Sequence, residues 1–380
     1  MDNRHLQRIS LSIYFFLSGL CFSTWASRIP TIKEIFNLND AQLGSIFLIM
    51  PFSALLGTVT SGWLVSKFDS RKPLVVSFVL FALSLIGISI VKTIFSLVVV
   101  LALFSIFMRV LNIAMNAQSI TLQNQFNSKI IGSFHGIWSL GGVIGVLFST
   151  VMIKMRISFD SHLTYIAVLT IVSSIIAYKY LIKKDKSEAG NKLIFGKPDS
   201  FILYLGLIIF FASICEGGMF DWSGIYFKEV IKEDVFTYGY LLFMTCMATS
   251  RFFLDKLLDK IEMPVLYVIS GLLIASGILL AISFPLFWTA LIGFCLVGIG
   301  VSSIFPMTYS LAGKSKKYSP GMAISIIGTY SIVGMFIGPP LIGYLSHNFG
   351  LKNAFILMIF CGLMFIPISK MFFKNQKDIA

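Results

Sequence analysis

Long apolar runs, separated by short basic or Gly/Pro-containing patches, fill almost the whole chain. A helix that crosses a membrane needs about 20 mostly apolar residues. Twelve runs reach that length: 9–27, 41–66, 73–91, 95–118, 130–153, 162–182, 200–227, 237–259, 263–284, 286–311, 319–345 and 351–373. The pattern therefore predicts an all-α polytopic membrane protein with twelve transmembrane helices, an even number that puts both termini on one side. The first run ends without a small-residue cleavage site and reads as a retained helix.

The longest hydrophilic stretch, KKDKSEAGNKLIFGKPDS (183–200), divides the runs six and six. Its Lys, Gly and Ser content reads as a solvated linker. The expected organisation is a six-helix bundle over 1–182, a linker over 183–199 and a second six-helix bundle over 200–380. Most of the 30 Lys and Arg lie on the side of the N-terminus, among them Lys183, Lys184, Lys186, Lys314, Lys316 and Lys317. Arg251 is counted with that group, at the inner end of its run. The opposite ends carry fewer, such as Lys92, Lys154, Arg156 and Lys228. By the positive-inside rule both termini face the cytoplasm.

Composition agrees with the pattern. The chain is 57% hydrophobic and 12% charged, against about 25% charged residues in a soluble domain. The net charge of +13 does not point to nucleic acid, because the cations fall in short patches between apolar runs, as topology signals and lipid contacts do. The five cysteines, Cys21, Cys215, Cys246, Cys295 and Cys361, lie inside apolar runs with no CxxC pair, so neither a disulfide nor a metal site is expected. The four His are scattered. No phosphate-binding P-loop and no nucleophile–base–acid set is present, so the sequence predicts no enzyme, no cofactor and no ATP-driven transport within this chain.

A weak internal repeat links the halves. Gly141 and Gly145 in SLGGVIG recur as Gly334 and Gly338 in SIVGMFIG. Small residues four apart let membrane helices pack closely, and paired halves of this kind commonly enclose a midplane site. The turn GWLVSKFDSRK (62–72) resembles the signature loop of the major facilitator superfamily, matching it at Gly62, Leu64, Lys67, Arg71 and Lys72. Ser66 stands where that family usually has Asp, and Asp69 where it usually has Gly. TWASRIPTIKEIF, HGIWSLGG, CEGGMFDW and GPPLIGYLSHNFGLKNA resemble the fucose-permease-like branch, above all its uncharacterised bacterial inner-membrane members. The resemblance implies solute transport across the bacterial inner membrane, often proton-coupled and often of sugars. It also implies a gating role for Gly62, Lys67, Asp69, Arg71 and Lys72, with Asp69 a partial substitute in the loop's charge relay. The branch's span-four Glu is replaced here by Asn112, with Asn116 at its Asn, and span one carries no acid.

Polar residues inside the runs are the remaining site candidates, because ionisable groups there mark ion or solute paths or pair across helices. Glu216 lies about 16 Å from the outer end of span seven, at 1.5 Å per residue. It is the candidate for proton coupling, and the alternative is a structural pair. Gly217 and Gly218 follow it and predict a weakened, hinge-like span. Asp221 lies five residues on, beside Trp222, and is either an interfacial acid or a second coupling group. Arg109 in span four is the natural counter-charge for Glu216. It shares a face with Asn112 and Asn116, and the three offer several donors to one solute. His135 is a proton-relay or packing candidate. Trp25, Trp138, Trp222 and Tyr330 are cavity or packing aromatics. Arg28 is either a snorkelling end charge or part of an outer gate.

The expected function is secondary transport of a small polar solute, sugar-like or an organic anion, by alternating access. The expected protein is a monomer in the lipid bilayer, with protons as the candidate coupling ion. An uncoupled facilitator or a proton-driven exporter is the alternative, and a non-transporting membrane sensor the outlier.

Overall fold

A computed structural model describes residues 3–126, 130–183, 199–318 and 320–377. Their secondary structure is helical throughout: α1 (Asn3–Ser27), α2 (Ile29–Ile35), α3 (Asp40–Phe47), α4 (Ile49–Phe68), α5 (Arg71–Ile90), α6 (Ile94–Gln123), α7 (Ile131–Lys154), α8 (Phe159–Tyr178), α9 (Ser200–Ile225), α10 (Tyr238–Leu258), α11 (Met263–Ser283), α12 (Phe287–Ser302), α13 (Ile304–Ala312), α14 (Pro320–Phe349), α15 (Leu351–Ala354) and α16 (Ile356–Lys377). Among the described residues, 11 helical segments are long and apolar enough to cross a membrane. α10, which carries Arg251 and Lys256, makes the twelfth expected span. Nearly all of the expected 183–199 linker lies outside the described residues.

Proline explains where the helices depart from the sequence pattern. The run expected as one span over 41–66 is broken at Leu48 into α3 and α4. Pro51 has no N–H to offer the carbonyl of Phe47. Pro306 does the same for the carbonyl of Ser302, where span ten divides into α12 and α13. Polar caps fix the starts. Asn39 accepts from Gln42 N at 2.8 Å, and Gln42 Oε1 accepts from Asn39 N at 3.0 Å, a reciprocal box that opens α3. Asp199 accepts from Ile202 N at 2.9 Å to open α9.

Contacts divide the chain into two units, Met1–Asn37 with Ile49–Ile194, and Leu38–Leu48 with Phe195–Ala380. In the first, α1 packs on α7 and α8, and α6 packs on α4 and α5. In the second, α9 packs on α14 and α16, and α12 packs on α10 and α11. The repeated glycines make equivalent contacts. A Cβ on Gly141 would strike the carbonyl of Phe16 on α1, and one on Gly145 that of Leu20. A Cβ on Gly334 would strike the carbonyl of Phe210 on α9, and one on Gly338 would lie 3.0 Å from Ile214 Cα.

The short helix α3 belongs to the second unit, where it lies along α14. A Cβ on Gly44 would come within 3.0 Å of the Pro340 carbonyl. Ser45 and Tyr344 share a hydrogen bond of 2.7 Å, and Ser346 donates to the Asp40 carboxylate.

Candidate functional site

α9 carries Glu216 deep in its apolar length, with Ile214, Cys215, Met219 and Phe220 buried around it. The expected hinge at Gly217 and Gly218 is corrected: α9 runs unbroken through both glycines. The space that side chains would need at Gly218 is taken by Ile342 and Met358, and at Gly217 Pro339 stands nearest. The expected counter-charge is corrected as well. Glu216 pairs inside its own unit, with Arg251 of α10, whose Nη2 donates to Oε1 at 3.1 Å. The side chains are 9% and 26% exposed. A charge-assisted bond in a low-dielectric setting is stronger than one in water. Sequence reasoning missed Arg251 because counting cations by the nearest helix end assigned it to the cytoplasmic surface.

Asp221, five residues on, is half-buried, and no hydrogen bond or ion pair reaches it among the described residues. Trp222 is fully buried. Its Nε1 donates to the carbonyl of Pro339 at 3.0 Å, and Phe47 of α3 meets its ring edge-on. This indole ties α9 to the proline-rich part of α14.

In the first unit α6 carries Arg109, Asn112 and Asn116, all half-buried. Arg109 Nε donates to Thr58 Oγ1 of α4 at 2.9 Å. Gly57 allows this approach, since a Cβ there would stand 2.9 Å from Arg109 Cβ. The amide of Asn116 turns back on its own helix and donates to the carbonyl of Asn112 at 2.8 Å. Gln118 is buried. It donates to Ser70 Oγ at 2.7 Å and to the Ile182 carbonyl at 3.1 Å, and accepts from Ile182 N at 3.1 Å. It ties α6 to the residue before α5 and to the chain just after α8.

The aromatic candidates separate by burial. Trp25 is buried against Phe104, with centroids 5.9 Å apart. Trp138 is half-buried beside Phe22. Tyr330 is half-buried with its ring against Gly206. His135 is exposed, edge-on to Phe15.

Arg28 is not a snorkelling end charge. It is 5% exposed, and its Nε donates to His162 Nδ1 at 2.9 Å while Nη2 donates to the Ile157 carbonyl at 3.3 Å. A guanidinium only donates, so Nδ1 accepts and the ring proton sits on Nε2, which faces Ser149 Oγ at 3.5 Å. Sequence reasoning missed His162, a lone histidine near the start of an apolar run with no motif around it.

In the 62–72 turn, Gly62 lies within α4 and Asp69 has φ +60°. That is the left-handed region glycine favours and Asp tolerates, which accounts for Asp standing where the signature loop has Gly. Arg71 donates to the Tyr178 carbonyl from Nε at 3.2 Å and from Nη2 at 2.8 Å, and its guanidinium stacks 4.0 Å from the Tyr178 ring. It caps the negative end of α8. Lys67 and Lys72 are exposed.

The comparisons agree with this architecture. The Major Facilitator Superfamily profile matches residues 11–319 and 264–378. The chain is 26% identical to an uncharacterised MFS-type transporter of Yersinia pestis, over 92% of this chain and 91% of that one. It is also 26% identical to the membrane protein MosC of Rhizobium meliloti, over 97% and 90%. Among solved structures, a bacterial homologue of the human lysosomal transporter Spinster, inward-facing and unoccupied, superposes with a TM-score of 0.80 at 14% identity, covering 99% of this chain and 98% of that one. The nucleoside transporter NupG superposes with a TM-score of 0.73 at 13% identity, covering 98% and 99%.

Proposed function

The chain belongs to the Major Facilitator Superfamily, and from that premise we propose that it is a secondary transporter of a small polar solute, sugar-like or an organic anion. It works by alternating access as a monomer in the bacterial inner membrane, with both termini cytoplasmic. It is a membrane transporter and not an enzyme.

The observation that carries the coupled reading is the Glu216–Arg251 pair. Ionisable groups within apolar helices are costly, and they mark ion or solute paths or pair across helices; the coupled reading takes this pair as part of such a path. In the proposed cycle Glu216 takes a proton and loses its charge. Arg251 then presents its guanidinium to an anionic or hydroxyl-rich solute, and release of the solute restores the pair. Asp221, half-buried and without a partner among the described residues, is a second proton acceptor on the same helix. In the N-terminal half Arg109, Asn112 and Asn116 supply hydrogen bonds to the solute, with Trp138 as an aromatic wall, and Tyr330 is the aromatic candidate of the C-terminal half. Trp25 and Trp222, buried against Phe104 and against Phe47 and Pro339, are packing residues of their own units.

Reconstituted protein tests the reading. A thermal-shift screen of sugars, organic acids and nucleosides identifies a solute, and counterflow then measures its movement. Glu216→Gln is expected to retain counterflow and lose uptake driven by a proton gradient. Gradient-driven uptake that survives in Glu216→Gln would overturn proton coupling at this residue. The second reading, an uncoupled facilitator or a proton-driven exporter, rests on Asn112, which replaces the acid of the branch this chain resembles. Uptake insensitive to a proton gradient in the unaltered protein favours the facilitator, and solute expelled against its gradient favours the exporter.

A further inference from the structure

Two helices of the second unit bring a pair of thiols together. Cys246 Sγ on α10 lies 2.9 Å from Cys295 Sγ on α12. The residues are 49 apart in sequence, so helix packing and not a local turn sets the approach. Gly298, three residues beyond Cys295, permits it. A Cβ at Gly298 would stand 2.5 Å from the Phe243 carbonyl and 3.2 Å from Met247 N, which flank Cys246. Both thiols are free and half-buried, so a small reagent can reach them. The same unit holds two further free cysteines, Cys215, whose thiol donates to the Met358 carbonyl at 3.7 Å, and Cys361. These two are 0% and 1% exposed and closed to such a reagent.

We propose that Cys246 and Cys295 form an oxidation site, a dithiol that a small peroxide converts to a disulfide between α10 and α12. One cysteine attacks the peroxide as its thiolate, the O–O bond breaks, the proton given up by the thiol passes to the leaving oxygen, and a sulfenic acid forms with release of one water or alcohol. The second thiol attacks that sulfur, the S–S bond forms, the S–O bond breaks and one water leaves. Two electrons pass from the two sulfurs to one peroxide, and a dithiol reductant reverses the step by exchange. Arg251 lies five residues beyond Cys246 on α10, so the bond restrains the helix that holds the partner of Glu216.

The test uses the full chain in detergent micelles with hydrogen peroxide as the probe. Maleimide labelling after denaturation is expected to count five free thiols before oxidation and two fewer after it, with recovery in dithiothreitol. Peptide mapping without reductant should place the bond between Cys246 and Cys295, and Cys246→Ser and Cys295→Ser should each abolish it. A bond at Cys215–Cys361 in place of this one, full retention of all thiols at millimolar peroxide, or sulfinic acid at Cys246 or Cys295 with no cross-link would overturn the proposal.

Discussion

Arg251 Nη2 stands 3.1 Å from Glu216 Oε1, an ion pair between α9 and α10 inside the apolar part of the C-terminal unit. Removing one partner of a buried pair leaves the other charge uncompensated, at a cost of about 3–5 kcal/mol. About 3 kcal/mol is the expectation for Arg251→Gln, which takes this partner from the buried Glu216 carboxylate, and less for Glu216→Gln, because Arg251 keeps partial exposure; each is read as a lower thermal midpoint in micelles. The double variant Glu216→Gln/Arg251→Gln should lose less than the sum of the two, since neither charge remains. Strict additivity would show that the two residues do not stabilise one another.

The glycines of α7 and α14 lead to a prediction with its control in the same helices. Gly141 and Gly334 face backbone carbonyls of α1 and α9, whereas a methyl group added at Gly132 or Gly328 would meet nothing within 4 Å. Gly141→Ala and Gly334→Ala should each cost about 1–3 kcal/mol through overpacking and reduce the monodisperse yield. Gly132→Ala and Gly328→Ala should be neutral or slightly stabilising, because they restrict the unfolded chain without a clash. Equal losses at all four positions in size-exclusion and thermal-unfolding measurements would rule out the packing argument.

These glycines were legible in the sequence because close packing requires a small residue at a fixed spacing. The spans were legible because a bilayer demands their length; the reading at 263–284 and the helix Met263–Ser283 differ by one residue. The first helix already includes Asn3, the first described residue, and not only the run from Ile9, since backbone hydrogen bonding continues past the point where side chains turn polar. The break at Leu48 follows from Pro51 and could have been read from it. The partners of the charged groups could not be read. Arg251 and His162 are placed against Glu216 and Arg28 by packing between separate helices, across 35 and 134 residues of sequence, and no local spacing encodes that contact.

Arg28 and His162 form the counterpart device in the N-terminal unit. The guanidinium donates to Nδ1 at 2.9 Å, so His162→Ala leaves a buried donor without that acceptor, and Arg28→Ala leaves a buried acceptor. Each is expected to cost about 1–3 kcal/mol. Arg28→Lys should not restore stability, because a single ammonium cannot serve His162 and the Ile157 carbonyl with the geometry of the planar fork. Full thermal stability in Arg28→Lys would show that charge alone matters at this position.

The turn between α4 and α5 gives the most direct test of a departure from the family's pattern. Asp69 holds φ +60°, a conformation that costs a typical L-residue roughly 1–2 kcal/mol and glycine almost nothing. Asp69→Gly should therefore leave the thermal midpoint unchanged or raise it, and Asp69→Val should lower it by the cost of that backbone region. Transport separates geometry from charge. If Asp69 serves only the turn, Asp69→Gly keeps full activity. If its carboxylate takes part in the gating loop beside Lys67, Arg71 and Lys72, Asp69→Gly is stable yet slow, and Asp69→Asn, which keeps the tolerance for positive φ without the charge, is slow to the same degree.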